Sequence, residues 1–170
     1  MLYSILPAPP SKEFRRLQPV IFISGSASIN KLPACAIKKI DSIMSGNLII
    51  LVGDAKGADL EVQKYLSKKR YDRVIVYFTG TESKNNVGGW ETKKITGGAN
   101  AKGRDLYALK ESAMADDADY GLMLWDGVSI ETLNAIKEMK NRNKGFSVVL
   151  DRTLIDEATS DIIINTLMNR

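Results

Sequence analysis

Five short apolar runs, separated by segments of helical character, constrain this chain more than any other feature. They are Val20 to Ser24 (VIFIS), Leu48 to Val52 (LIILV), Arg73 to Phe78 (RVIVYF), Tyr120 to Trp125 (YGLMLW) and Phe146 to Leu150 (FSVVL). Short runs that are apolar almost throughout, rather than alternating, mark strands buried on both faces. Between them the period changes. Leu32, Ala36, Ile40 and Ile43 recur at helical spacing from Lys31 to Ser45, and Gly46-Asn47 supplies a stop. Ala58, Val62, Tyr65 and Leu66 do the same from 58 to 69. Asp105 to Asp117 is expected to turn Leu106, Leu109 and Ala113 inward, and Ser129 to Asn143 to bury Leu133, Ile136 and Met139. Strands alternating with helices in this way specify an α/β fold with right-handed crossovers. The expectation is a three-layer domain over residues 20–170, with a parallel sheet of about five strands in the order 3-2-1-4-5.

Two stretches escape this pattern. Residues 1–19, with Pro7, Pro9, Pro10 and Pro19, read as an N-terminal extension without regular structure. Residues 79–103 hold six of the thirteen glycines and no convincing period. A structureless insert of that length is usually functional or disordered. It is expected to be a flexible loop, acting as a flap with Trp90 or a lysine closing over a ligand. The tail beyond Thr153 is ambiguous, since Ile162-Ile163-Ile164 suits a strand or a helix.

Composition removes whole classes of chemistry. The 170 residues include no histidine, so His general bases, Ser-His-Asp catalysis and His-ligated zinc are excluded. Cys35 is the only cysteine, which leaves no internal disulfide and fits a reducing cytoplasm. Any catalysis must use carboxylates, lysine, tyrosine, hydroxyls or a bound Mg²⁺, and no metal-ligand set is assigned. The net charge of +4 mildly favours anionic ligands. No apolar run approaches the ~20 residues of a membrane span, and the N-terminus does not read as a signal peptide, because prolines interrupt its short apolar part.

In the expected order, the first and fourth strands are adjacent and send their helices to opposite faces. Open α/β sheets bind ligands at the carboxyl ends of the strands at such a switch point. The turns Gly25-Ser26-Ala27-Ser28 and Asp126-Gly127-Val128-Ser129 would line it, with Gly53-Asp54-Ala55-Lys56-Gly57-Ala58-Asp59 beside them. Gly25, Gly53, Gly57 and Gly127 would let a ligand approach the backbone. Ser26, Ser28, Ser129 and Thr132 offer hydroxyls, and Asp54, Asp59 and Asp126 offer carboxylates. Lys56 and Lys110 are the candidate phosphate contacts. Each has an ordinary alternative: Ser28, Ser129 and Asp59 as helix caps or turn residues, and Lys56 and Lys110 as solvated lysines. The second turn is no Walker A loop, since the Gly-Lys-Ser/Thr ending is missing.

Taken together, VIFISGS, the G-D-A-K-G-A-D-x-x-V-Q-x-Y-L stretch from Gly53 to Leu66 and the W-D-G-x-S-x-x-T segment from Trp125 to Thr132 resemble the SLOG superfamily. This is the Rossmann-like group that includes the DprA/Smf proteins, the LOG phosphoribohydrolases and the small YspA-like branches. The resemblance spans residues 20–150 or so and implies a nucleotide-type ligand pocket in these loops. It leaves a homodimer open, because relatives assemble through helices flanking the sheet. Two departures matter. Where LOG enzymes have P-G-G-x-G-T-x-x-E, this chain has Glu131-Thr132 for the Gly-Thr pair and Ala135 at the catalytic Glu position. Lys110 stands at the catalytic Arg position and lacks arginine's two-pronged grip.

The expected function is therefore binding of a nucleotide or nucleotide-derived small molecule, as sensor or carrier. The alternative is an enzyme that cleaves or transfers an N-glycosidic bond, with Asp126, Glu131 and Asp54 as the carboxylates. A third reading, DprA-like nucleic-acid binding, is less favoured because the charge excess is small and no reader motif is present.

Overall fold

The β-branched and aromatic runs become strands because their side chains alternate between two apolar layers and leave nothing for water to solvate. The computed structural model describes residues 18–150, 152–155, 162, 165 and 166. The strands are β1 (Val20–Gly25), β2 (Ile49–Gly53), β3 (Val74–Phe78), β4 (Glu91–Lys94), β5 (Tyr120–Trp125), β6 (Gly145–Leu150) and β7 (Thr153–Ile155). The helices are α1 (Ala34–Ser45), α2 (Ala58–Lys68), α3 (Arg104–Asp117) and α4 (Ile130–Asn141). The sheet order is β4-β3-β2-β1-β5-β6-β7, parallel except for β7. Its five inner strands reproduce the expected order.

Alternation divides the core in two. Ile21, Ile23, Ile50, Val52, Val74, Val76, Leu122 and Leu124 pack with α1 and α2 on one face. Phe22, Leu51, Tyr77, Met123, Phe146 and Val148 pack with α3 and α4 on the other. The result is a Rossmann-like three-layer sandwich whose crossovers change face between β1 and β5. No helix among the described residues is long and apolar enough to cross a membrane.

Three features depart from expectation. The 79–103 segment contains β4, whose four residues (ETKK) are all exposed, so no hydrophobic signal announces it. Charged residues on an edge strand also discourage pairing with another chain. Trp90, expected over the ligand, lies level with the amino end of β3, since Ile75 pairs with Glu91. Its indole Nε1 donates to Tyr71 O at 2.8 Å, and its backbone N–H to Asn86 Oδ1 at 3.0 Å. The opposite end of the strands carries the crevice. In α3, the buried residues are Lys110, Glu111, Met114 and Ala115, while Leu109 is 41% exposed. The helix rotates its polar pair inward because polar groups wait for it at the sheet edge. The expected extension falls almost wholly on residues 1–17, outside the described residues. Of the tail, Ile162, Asn165 and Thr166 are helical.

Candidate functional site

Ser26 ties the three carboxyl-edge turns together. It is 1% exposed. Its N–H donates to Leu124 O at 2.9 Å, and its carbonyl accepts from Ala58 N at 3.2 Å and Ile29 N at 3.1 Å. Its hydroxyl accepts from Asp126 N at 3.1 Å and shares a 3.0 Å hydrogen bond with Thr132 Oγ1. Such close approach requires glycine. A Cβ on Gly25 would lie 2.5 Å from Leu124 O, and one on Gly57, where φ is +82°, would lie 2.5 Å from the Ala27 backbone. A Cβ on Gly53 would meet Asp59 Oδ2 at 2.2 Å. The room expected for a ligand beside these three glycines is thus filled by the protein itself. Gly127, at φ +84°, shapes the turn after β5, with Leu150 3.3 Å from where its Cβ would be.

Asp126 holds the turn that leads into α4. Its Oδ1 accepts from Val128 N at 3.0 Å and Ser129 N at 2.8 Å, and its Oδ2 from Ser28 Oγ at 2.6 Å. These close an Asx-type turn ahead of α4 and tie it to the β1 turn. Ser129 occupies the N-cap position, but its side chain makes no capping bond. It accepts from Thr132 Oγ1 at 3.2 Å and reaches Glu131 Oε2 at 3.4 Å. Ser28 is likewise no cap, since α1 begins after Pro33. Partial burial opposes ionisation of Asp126, yet hydrogen bonds from the Ser28 hydroxyl and the Ser129 and Val128 N–H groups hold its carboxyl below the usual carboxylate range.

Asp54 belongs to a second, buried constellation. With Lys110 it forms an ion pair, Nζ to Oδ1 3.1 Å, whose side chains are 3% and 4% exposed. Its Oδ2 accepts from Lys84 N at 3.0 Å and its carbonyl from Asn85 Nδ2 at 2.8 Å. Gln63 binds Gly53 O at 2.8 Å, Asn85 O at 3.1 Å and Val87 N at 3.0 Å. The start of the 79–103 segment is therefore fastened to the β2 turn.

Asp59 and Glu111 complete this constellation. Asp59 Oδ2 accepts from Ala55 N at 3.4 Å, but its Oδ1 is buried without a partner. Glu111 Oε2 accepts from Ser24 Oγ at 3.0 Å, and its Oε1 is also buried and unpartnered. Burial pushes Asp59 up to about 6 against the pull of Lys110. Burial and then the Asp59 carboxylate push Glu111 up to about 8. Burial, Glu111 and Asp59 also raise the Tyr107 phenol. Sequence reasoning missed Glu111, Tyr107, Ser24 and Gln63 as members of this group. The inward Lys110-Glu111 pair on a helix of otherwise moderate amphipathicity was the available signal.

Two clefts open at this edge, one on each face. The larger, about 700 Å³, lies beside α1 and is lined by Ser28, Asn30, Lys31, Trp125, Asp126 and Arg152 among others. The smaller, about 230 Å³, lies between α3 and α4 and includes Tyr107, Glu111 and Glu131. The structure gathers Ser26, Ser28, Asp126, Ser129 and Thr132 around one turn, and Asp54, Asp59 and Lys110 in the buried cluster. Asp126 and Glu131 meet at Ser129, whose N–H donates to Asp126 Oδ1 at 2.8 Å and whose hydroxyl reaches Glu131 Oε2 at 3.4 Å, while Asp54 belongs to the buried ion pair. Lys56 is exposed. Among the described residues, no group of three or more acidic or cysteine side chains is arranged to hold a metal ion. Comparison of the chain with protein-family models, curated proteins and solved structures gives no match.

Proposed function

We propose that this protein binds a nucleotide or nucleotide-derived small molecule in the cleft beside α1, as a sensor or carrier. The observation that carries the reading is the position and chemistry of that cleft. It opens where the crossovers change face, and its volume of about 700 Å³ lies within the roughly 300–1,000 Å³ usual for small-molecule pockets. Lys31 and Arg152 supply positive charge for a phosphate, and Asn30 supplies an amide. Asp126, on the cleft wall, supplies a carboxylate that can accept from a ribose hydroxyl. The resemblance of the Gly53–Leu66 and Trp125–Thr132 stretches to the SLOG group adds support from an independent direction. The N-glycosidic alternative draws less from the geometry, because Asp54 is committed to its buried ion pair with Lys110.

The test is a thermal-shift panel with AMP, ADP, ATP, NAD, ADP-ribose and nucleosides, each sample then chromatographed for released base. The reading predicts a shift with the ligand intact, reduced at least tenfold in apparent affinity by Lys31→Ala combined with Arg152→Ala. Absence of any shift would contradict it, and free base in the protein-containing samples would favour the enzyme.

A further inference from the structure

The cleft beside α1 is divided in its hydrogen-bonding character. Asn30, Lys31 and Arg152 bring N–H donors to its wall, and the two cations can only donate. Ile37, Leu124 and Val149 supply an apolar part. The edge made by Ser28 and Asp126 is of the opposite kind. Ser28 Oγ donates to Asp126 Oδ2 at 2.6 Å, so its one proton is committed. Asp126 Oδ1 accepts from Val128 N at 3.0 Å and Ser129 N at 2.8 Å. Partial burial opposes ionisation of Asp126, yet the Ser28, Ser129 and Val128 donors hold its carboxyl below the usual carboxylate range. Near neutral pH the pair therefore presents oxygens and no proton to the cleft. Such an edge attracts a hydroxyl and repels a phosphate. The donors come from two different turns, so the carboxylate is fixed from both sides.

Resting on the nucleotide reading of this cleft, we propose that it selects nucleotides with an intact ribose diol over their deoxy counterparts, with Asp126 as acceptor for a sugar hydroxyl and Ser28 as the residue that positions it. In a nucleotide the sugar lies between phosphate and base. A phosphate taken by Lys31 and Arg152, with a base against Ile37, Leu124 and Val149, leaves the sugar hydroxyls for the acceptor edge. The 2′- and 3′-hydroxyls of ribose lie on the same side of the ring, and each can donate. Removing the one that Asp126 takes sets a C–H group against a carboxylate already withdrawn from water. Hydrogen bonds to charged groups are the stronger kind, and losing one corresponds to roughly tenfold or more in affinity. Asp126 is thus the specificity-determining residue. Ser28 acts through it, because its hydroxyl sets the direction in which Oδ2 faces.

Titration calorimetry on the full chain at pH 7 tests this with AMP, 2′-deoxy-AMP and 3′-deoxy-AMP, and with the corresponding triphosphates. The expected result is that at least one deoxy probe binds about tenfold or more weakly than its ribose counterpart. A loss confined to one probe identifies the hydroxyl that Asp126 takes. In Asp126→Asn, which keeps the side-chain shape and removes the charge, the ribose-to-deoxy ratio should fall below about threefold. In Ser28→Ala the ratio should fall part of the way and return in Ser28→Thr, which a general loosening of the turn would not produce. Affinities for ribose and deoxy probes equal to within about twofold would overturn the proposal and leave the nucleotide reading standing. A ratio unchanged in both Asp126→Asn and Ser28→Ala would overturn it as well. Binding of none of the probes would overturn both readings. If Asp126→Asn does not fold, Ser28→Ala, on an exposed turn, still decides.

Discussion

Asp126 and Glu111 border clefts on opposite faces of the same sheet edge, and their surroundings could hardly differ more. Asp126 is half-buried, accepts three hydrogen bonds and is held ionised by them. Glu111 is fully buried and accepts from Ser24, and burial together with the Asp59 carboxylate keeps its proton on. The first has been absorbed by the architecture, holding the turn before α4 and tying the β1 turn to it. The second is sealed beneath α3 and keeps its proton instead of gaining a counter-charge. A carboxylate at the end of a strand is thus held ionised by the donors of its own turn, whereas a buried carboxyl beside another stays protonated.

The largest effect expected concerns the cation that balances the buried cluster. Lys110→Met leaves Asp54 with a backbone donor but no counter-charge, and should cost about 3–5 kcal/mol in denaturant unfolding. A loss below about 1 kcal/mol would mean that the cluster is not held by that pair. Next comes the pH dependence of Glu111. Its ordinary value is 4.5 and its folded value about 8, so the folded state holds the extra proton between them and stability falls as pH climbs through that window. Asp59 adds the same sign between 3.8 and about 6. Asp126 has the opposite sign and loses stability only as pH falls through its depressed range. Glu111→Gln should therefore flatten the alkaline decline and exceed the unaltered protein at pH 8.5 by on the order of 2 kcal/mol. Unfolding curves from pH 5 to pH 9 would show the slope disappear or persist. A smaller loss, about 1–2 kcal/mol, is expected for Asp126→Ala at pH 7, from removal of the hydrogen bonds that hold the turn before α4. Lys56→Ala, on the exposed turn between the two constellations, should change stability by less than about 0.5 kcal/mol.

The five inner strands and their order were legible because burial on both faces writes itself as uninterrupted Ile, Val and Leu. The outer strands were not. β4 reads ETKK, and its place on the sheet depends on backbone pairing with β3 rather than on any apolar face. The turns were legible as a shared locus, but not their internal accounting. Gly25, Gly53 and Gly57 look the same in sequence whether a ligand or a neighbouring loop fills the space beside them, and here the neighbour does. Ser129 looked like the α4 cap and does occupy the N-cap position, yet its side chain makes no capping bond, while Asp126 three residues earlier binds the N–H groups of the turn before the helix. Glu111 escaped notice because Leu106 and Leu109 offered a conventional apolar face for α3. Only the polar floor formed by Ser24, Gly53 and Asp54 turns the helix so that Lys110 and Glu111 point inward.

The contrast between the two carboxyls is open to direct measurement by ¹³C NMR of the side-chain carboxyl groups, titrated from pH 2.5 to pH 9.5 and assigned with Glu111→Gln and Asp126→Asn. The structure predicts that Glu111 titrates near 8 and Asp126 below 3.8. A Glu111 midpoint between 4 and 5 would mean that its carboxylate is already stabilised by donors or water, and the account of a buried carboxyl that keeps its proton would be wrong.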